Sequence, residues 1–320
     1  MRLFIFIFIQ FTFFTAWSAP TCRQLFDVKI KSTLAEPMAS LRVAAVQFPL
    51  GEKQTAQSFL NKVQIFIKEA HDNGAQVVVF PELITTELVD WDKNTDAEQL
   101  QAIALNFTPQ YIEWLKVQAQ SYKISVLGGT SPRVVDGQIF NTAILALADG
   151  TTVLQDKVFL TPDEKKWNWK PGTEFKTFNT PWGKTAITTC FDCEFPIVSK
   201  MLSKAQPEVI LVPSWTSSES GLNRVDWTAK SRAIEHYAFV VKTGTVADPT
   251  STQIHFGKAS IITPQDVGFP TTLVEGNLNE ASIIYSNLDL NLLRQRRKET
   301  GYFPDKEQKI RKSALKLIMD

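Results

Sequence analysis

Residues 75–83 read AQVVVFPEL, and this stretch decides the fold class. Three consecutive valines next to a phenylalanine are typical of a buried β-strand. Pro81 ends that strand because proline cannot donate to a sheet ladder, and Glu82 follows directly. The preceding segment, Ala56–His71, has apolar residues at helical spacing and is followed by Gly74, a typical helix stop. A helix that leads into a buried strand indicates an α/β fold.

The same alternation of strands and helices extends over most of the chain. Helical patterns cover about 97–121 and Ala229–His236. The turn residues Ala148-Asp149-Gly150 separate two strands and predict a hairpin, so we expect mixed rather than purely parallel sheets. The predicted strands are Leu41–Gln47, Ala75–Phe80, Ile124–Gly128, Phe140–Leu147, Thr151–Lys157, Lys184–Thr189, Glu208–Pro213, Ala238–Val246, 258–263 and 281–288.

The first 18 residues have the pattern of a secretory signal peptide. An apolar run from Leu3 to Phe14 follows Arg2, and it is shorter than the roughly 20 residues that span a membrane. Small residues at Ala16 and Ser18 predict cleavage after Ser18. We therefore expect a secreted or periplasmic protein, with an uncleaved membrane anchor as the alternative.

The remaining chain divides into three predicted parts. Residues 19–40 have little pattern and are interpreted as a leader or linker. Residues 41–290 contain the predicted strands and helices and form one domain. Residues 291–320 form a charged C-terminal tail, which we interpret as a solvated surface helix or a subunit contact.

Composition excludes several classes of protein. Lys and Arg number 34 against 33 Asp and Glu, so the net charge of +1 argues against nucleic acid as a partner. The chain has 3 Cys, too few for a disulfide scaffold. Its 3 His are scattered and show no metal-ligand spacing, so no metal site is expected.

Three reactive side chains stand at the ends of three predicted strands. Glu82 follows the strand AQVVVF and a proline, and Lys157 is the last residue of the strand TTVLQDK. Cys190 comes directly after the strand KTAITT. Ligands of open α/β sheets bind beyond the carboxyl ends of strands, so these side chains are expected to share a pocket. A thiol needs a base to become a nucleophile, a buried carboxylate can be that base, and an ammonium stabilises an oxyanion. The backbone N–H of Phe191 is a candidate second oxyanion donor.

Each of these residues also has a structural interpretation. A cysteine that ends an apolar strand is often an inert core thiol, and charged residues at strand ends are often solvated. Cys190 and Cys193 form a C-x-x-C pair, which leaves open a thiol–disulfide exchange protein. A catalytically inactive binding protein is a further alternative. Ser214, Trp215 and Thr216 follow the strand EVILVP and either line the pocket or only pack.

The sequence resembles the nitrilase superfamily of carbon–nitrogen hydrolases over about residues 41–290. The resemblance rests on three motifs with three supporting segments: VVVFPEL (77–83), DKVFLTPDE (156–164) and TTCFDCEFP (188–196), with FNTAIL (140–145), EVILVPSW (208–215) and RAIEHYAFVV (232–241). It implies a four-layer αββα sandwich with mixed sheets.

The resemblance also implies chemistry. Glu82 matches the general base, Lys157 the oxyanion stabiliser and proton donor, and Cys190 the nucleophile, while Glu164 matches a supporting second glutamate. The implied reaction hydrolyses a small amide through a cysteine thioester without a metal or organic cofactor. It also implies a homo-oligomer, and it leaves nitriles and N-carbamoyl compounds open as substrates.

Overall fold

The computed structural model describes residues 38–93 and 95–311. The strands are β1 (Ser40–Leu50), β2 (Val77–Val79), β3 (Ser125–Val135), β4 (Gln138–Ala146), β5 (Thr152–Asp156), β6 (Thr177–Thr180), β7 (Gly183–Ile187), β8 (Val209–Val212), β9 (Phe239–Lys242), β10 (Gly244–Ala247), β11 (Ser260–Ile262), β12 (Thr272–Glu275) and β13 (Ser282–Asp289). The helices are α1 (Ala56–Asp72), α2 (Asp96–Ala102), α3 (Thr108–Tyr122), α4 (Pro162–Lys166), α5 (Pro196–Leu202), α6 (Glu219–His236), α7 (Leu290–Glu299) and α8 (Pro304–Arg311).

The strands form two sheets, and both are mixed. The seven-stranded sheet has the order β10-β1-β2-β3-β4-β5, with β13 also paired to β1, and the six-stranded sheet has the order β12-β11-β9-β8-β7-β6. Strands β1, β2 and β3 are parallel neighbours, whereas β4 and β5 form the antiparallel hairpin predicted at Ala148-Asp149-Gly150. The prediction of mixed sheets is confirmed.

The period-two alternation of each strand explains the layers. In β2, Val77 and Val79 face the apolar core between the sheets, whereas Val78 faces the layer of α1 and α3. In β8, Val209 and Leu211 face the same inter-sheet core, and the neighbouring side chains pack against α5 and α6. The predicted αββα sandwich is therefore confirmed.

One predicted strand is divided between the sheets. Residues 238–246 have a continuous β pattern, but β9 pairs with β8 and β11 in the six-stranded sheet, and β10 pairs with β1 in the other. Thr243 is the link between them. The prediction of a single strand was wrong because Gly244 lets the backbone approach Lys258, where an added Cβ would lie 3.1 Å from the Lys258 nitrogen.

Helix boundaries follow local signals. The Thr55 hydroxyl accepts a hydrogen bond from the Ser58 N–H at 3.1 Å and caps α1. Gly74, with φ of 74°, lies just beyond the end of α1, as predicted. The predicted helical region 97–121 is present as α2 and α3, joined by a π-helical turn at Ile103–Phe107.

The predicted signal peptide, 1–18, lies outside the described residues, as does the leader up to residue 37. Helix α7 begins at the last residue of the predicted domain and continues into the predicted C-terminal tail, and it packs on the inter-sheet core through Leu290 and Leu293. Among residues 38–93 and 95–311, no helix is long and apolar enough to cross a membrane.

Candidate active site

Glu82 is held by the turn that follows β2. Only 2% of the residue is exposed. Its Oε2 accepts a hydrogen bond from the Trp215 backbone N–H at 3.0 Å, and its Oε1 accepts from Lys157 Nζ at 2.7 Å. Burial raises the pKa of the Glu82 carboxyl, although the Lys157 charge opposes that rise. Glu82 is therefore a stronger base than an exposed carboxylate would be.

Lys157 directly follows β5 and lies between two carboxylates. Its Nζ donates to Glu82 Oε1 at 2.7 Å and to Glu164 Oε2 at 2.8 Å, with 1% of the lysine exposed. Burial lowers its pKa, but the two carboxylates outweigh burial and raise it, so Lys157 is an ammonium. Glu164 also closes the capping box of α4, because its Oε2 accepts from the Thr161 N–H at 2.8 Å.

Cys190 lies in a sharp turn after β7. Its φ of 47° is unusual for a residue with a Cβ and presents the side chain away from the strand. The Cys190 N–H donates to the Pro213 oxygen at 3.0 Å, and its Sγ lies 3.5 Å from the Trp215 oxygen. Burial and the Glu82 charge raise the pKa of the thiol well above its ordinary value, while Lys157 opposes the rise. The resting group is a thiol, and it needs a base to react.

Sequence reasoning missed Asn141, which lies in β4 within the FNTAIL segment. Its Nδ2 donates to Glu82 Oε1 at 2.9 Å and to Glu164 Oε1 at 2.6 Å. Its backbone oxygen accepts from the Lys157 N–H at 2.8 Å. Asn141 thus bridges the two carboxylates that share Lys157, and its backbone oxygen holds the main chain of Lys157 in place. A buried asparagine inside an apolar strand was the available signal, because a buried amide needs partners.

These side chains lie at a cavity of about 720 Å³. Glu82, Lys157, Glu164 and Cys190 line it. Of the other predicted site residues, Phe191, Trp215 and Thr216 also line the cavity. Ser214 does not line it: the side chain is buried, with its hydroxyl 3.4 Å from the Val212 oxygen. Among the described residues, no group of three His, Cys, Asp or Glu side chains can hold a metal ion.

The family model for carbon–nitrogen hydrolases matches residues 42–298. The chain belongs to the carbon–nitrogen hydrolase family. The predicted resemblance to the nitrilase superfamily is thereby confirmed.

Relatives of this member of the carbon–nitrogen hydrolase family are similar over most of its length. A probable hydrolase, YhcX, of Bacillus subtilis is 29% identical over 265 residues, which are 80% of this chain and 51% of the relative. This chain therefore spans about half the length of that protein. The omega-amidase NIT2 of Homo sapiens is 22% identical over 279 residues, 84% of this chain and 96% of the relative.

Two solved structures share the fold. Nit3 of Saccharomyces cerevisiae, a member of branch 10 of the nitrilase superfamily, has a TM-score of 0.70 and 22% identity, covering 83% of this chain and 96% of Nit3. A variant of the amidase from Nesterenkonia sp. AN1 shows covalent addition of an acetamide group at its active-site cysteine. That structure has a TM-score of 0.67 and 19% identity, covering 82% of this chain and 97% of the amidase.

Asp192, two residues after Cys190, is a second buried residue beside the candidate site that sequence reasoning missed. Its carboxyl accepts from the Val158 N–H at 3.0 Å and from the Phe159 N–H at 2.7 Å. It therefore ties the turn of Cys190 to the segment just after Lys157. Burial raises the pKa of Asp192 to about 7.

We expect Asp192→Asn to remove part of the pH dependence of stability. The carboxyl titrates near 3.8 ordinarily and near 7 in the fold, so the folded protein binds this proton more tightly. Its stabilising contribution is complete below about pH 4 and is lost as the pH rises through 7. Between pH 5 and 8 the wild type should lose about 2–3 kcal/mol relative to the variant. Denaturant unfolding of both proteins at several pH values measures this, and parallel stability curves would contradict it.

Proposed function

We propose that this protein hydrolyses the C–N bond of a small amide through a thioester on Cys190. The observation that carries the proposal is the convergence of a buried carboxylate, an ammonium and a thiol on one cavity. The omega-amidase relative and the Nesterenkonia amidase support an amide as the substrate. A nitrile or an N-carbamoyl compound is the alternative substrate for the same three groups.

The chemistry begins with the thiol. Glu82 takes the Sγ proton, and the sulfur attacks the amide carbon to form a tetrahedral oxyanion. The Lys157 ammonium and the Phe191 N–H stabilise that oxyanion. When the C–N bond breaks, the leaving amine takes the proton from Glu82, and the acyl group remains on Cys190 as a thioester.

Water completes the cycle. Glu82 takes a proton from a water molecule that attacks the thioester carbon, and the C–S bond breaks. The sulfur recovers a proton as the carboxylic acid leaves. The hydrogen bonds that Glu82 accepts from Lys157 and Trp215 keep the same carboxylate in place for both half-reactions.

Ammonia release across a panel of amides, nitriles and N-carbamoyl compounds tests this proposal. Quenching during turnover and mass spectrometry of the peptide that contains Cys190 should show an added acyl mass. Absence of both ammonia and the adduct over the whole panel would overturn the proposal and favour a catalytically inactive binding protein.

The C-x-x-C alternative is disfavoured by the environment of its second cysteine. Cys193 is fully buried in the core beneath α5 and α6, and burial raises its pKa to about 11. Thiol–disulfide exchange requires accessible thiols with low pKa values. Both Cys190 and Cys193 are free.

We expect Cys193→Ala to keep amide hydrolysis within a few-fold of the wild type. The change removes one buried sulfur at a cost of about 1–2 kcal/mol and leaves the base, the ammonium and the nucleophile unchanged. Ammonia release and reduction of insulin disulfides are to be measured in parallel. Insulin reduction that disappears in the Cys193→Ala variant would establish the exchange reaction instead.

We also propose that residues 1–18 direct secretion and that the mature protein is a homo-oligomer. The signal-like pattern of the N-terminus supports secretion, and the resemblance to the superfamily is the basis for an oligomer. The N-terminal sequence of the exported protein and its mass in solution test the two statements separately.

A further inference from the structure

One wall of the cavity is made of tryptophans. Trp91, Trp167 and Trp215 all line it. The ring of Trp91 lies 6.4 Å from that of Trp215 and 6.2 Å from that of Trp167, measured between centroids. We call Trp91, Trp167 and Trp215 the tryptophan wall. The Trp215 backbone N–H donates a hydrogen bond to Glu82, so the tryptophan wall begins beside the reacting groups. Buried Trp169 supports Trp167 from behind, at 5.2 Å.

The tryptophan wall ends at a carboxylate. Asp96, the first residue of α2, also lines the cavity, and its Oδ2 accepts a hydrogen bond from Trp167 Nε1 at 2.5 Å. Within residues 38–93 and 95–311, no Lys, Arg or His side chain forms an ion pair with Asp96. The indole N–H orients this carboxylate but leaves its negative charge uncompensated.

The other charged side chains at the rim of the cavity are paired. At its rim, Lys166 Nζ lies 3.0 Å from Asp163 Oδ1, and Arg224 Nε lies 3.0 Å from Glu194 Oε2. At its floor, one ammonium, that of Lys157, is shared by two carboxylates. The cavity therefore carries an excess of negative charge at both ends of the tryptophan wall.

The histidine behind the wall does not offset this excess. His255 stacks on the ring of Trp215 at 5.2 Å, and burial lowers its pKa to about 4. The imidazole is therefore neutral near pH 7. A cation that enters the cavity thus meets aromatic faces and an unpaired carboxylate, whereas an anion meets repulsion.

We propose that the substrate is an elongated amide or N-carbamoyl compound whose end remote from the scissile bond carries an ammonium group. Its methylene stem packs along the tryptophan wall, and its ammonium binds Asp96 and the aromatic faces. Asp96 is then the residue that selects substrates by charge. This inference rests on the proposed hydrolase function and adds the class of substrate.

Three amides of matched chain length test the charge preference: 5-aminopentanamide, hexanamide and adipic acid monoamide. We expect kcat/KM to be at least tenfold higher for the ammonium compound than for hexanamide, and lowest for the carboxylate compound. The preference should weaken as salt is added, because Asp96 is only half-buried. N-carbamoyl-1,4-diaminobutane, assayed beside 5-aminopentanamide, shows which of the two scissile groups is cleaved.

The Asp96→Asn variant tests whether Asp96 is the residue that selects substrates by charge. The asparagine oxygen can still accept from Trp167 Nε1, so the substitution removes charge with little change in shape. We expect the ratio of kcat/KM for 5-aminopentanamide to that for hexanamide to fall about tenfold, mainly through KM. Asp136→Asn is the matched control: it removes the same charge from an exposed residue that does not line the cavity, and it should keep the wild-type ratio.

A binding measurement separates this inference from the proposed function. Calorimetry with the Cys190→Ala variant measures the affinity for the same three amides without turnover. Tighter binding of 5-aminopentanamide that is lost in Cys190→Ala/Asp96→Asn supports the charge preference even if no hydrolysis is found. Equal or weaker binding of the ammonium compound, or an unchanged preference in the Asp96→Asn variants, overturns it even if amides are hydrolysed.

Discussion

Replacing Cys190 by alanine is expected to lower amide hydrolysis by about four orders of magnitude or more, while the fold persists. The sulfur is the atom that would hold the acyl group, and no neighbouring side chain can replace it in that role. Its removal leaves only a small void, since a single sulfur atom is lost at the lining of the cavity. Initial rates of ammonia release, with circular dichroism to verify folding, measure the effect.

Two further variants make the Cys190 result specific. Cys190→Ser keeps a nucleophile of similar shape, but an alcohol is a far weaker acid than a thiol, so Glu82 cannot ionise it as well. We expect a comparable loss of turnover. Cys193→Ala removes the other sulfur of the same turn and should remain active. Turnover that survives in purified Cys190→Ala protein would exclude Cys190 as the nucleophile.

Replacing Lys157 by methionine is expected to damage both stability and activity. The methionine fills a similar volume but leaves Glu82 and Glu164 buried without their shared cation. Breaking a buried ion pair in this way costs about 3–5 kcal/mol, which corresponds to a fall in Tm on the order of 10 °C. Loss of the oxyanion partner adds a fall in kcat of about a hundredfold or more. Thermal unfolding and kinetics measure the two effects.

The pH dependence of the Lys157→Met variant distinguishes charge from packing. Burial already raises the pKa of Glu82, and without the ammonium nothing as strong opposes that rise. A raised folded-state pKa stabilises at low pH and loses that stabilisation as pH increases. The stability gap between variant and wild type should therefore narrow as the pH falls from 7 to 5. Lys166→Met, an exposed lysine paired with Asp163, is the control. Similar Tm values for the two variants would show that the buried ion pairs contribute little.

The sequence was sufficient to predict that Glu82, Lys157 and Cys190 share a pocket, because each follows a strand and ligands bind beyond the carboxyl ends of strands. It did not reveal that Cys190 follows a strand of the other sheet. It was not sufficient for the residues that hold them in place. Asn141 lies inside a strand, where the period-two pattern predicts only which face a side chain occupies. The partners of its amide are distant in the sequence, in the turn of Glu82 and in α4. Asp192 acts on backbone groups that no side-chain pattern reveals.

The tryptophan wall was equally hard to predict. Trp91, Trp167 and Trp215 come from three segments that are distant in the sequence, and their ring distances depend on how both sheets pack. The split of residues 238–246 between two sheets had a weak signal in the sequence, since Lys242, Thr243 and Gly244 interrupt an apolar run. Hydrophobic periodicity reports which face is buried, but it does not report which sheet a strand joins.

The crossing at Thr243 has a mechanical consequence. Glu82, Asn141 and Lys157 are carried by one slab of the sandwich, and Cys190 and Trp215 by the other. A small shift of one sheet, with its helices, relative to the other would move Cys190 away from Glu82 and Lys157. Every helix and strand would stay intact during such a shift. The chain at Thr243 passes directly from one sheet to the other, and this covalent link resists the shift. The rate of the proposed hydrolysis is therefore a more sensitive measure of how the two sheets are aligned than any spectroscopic measure of secondary structure.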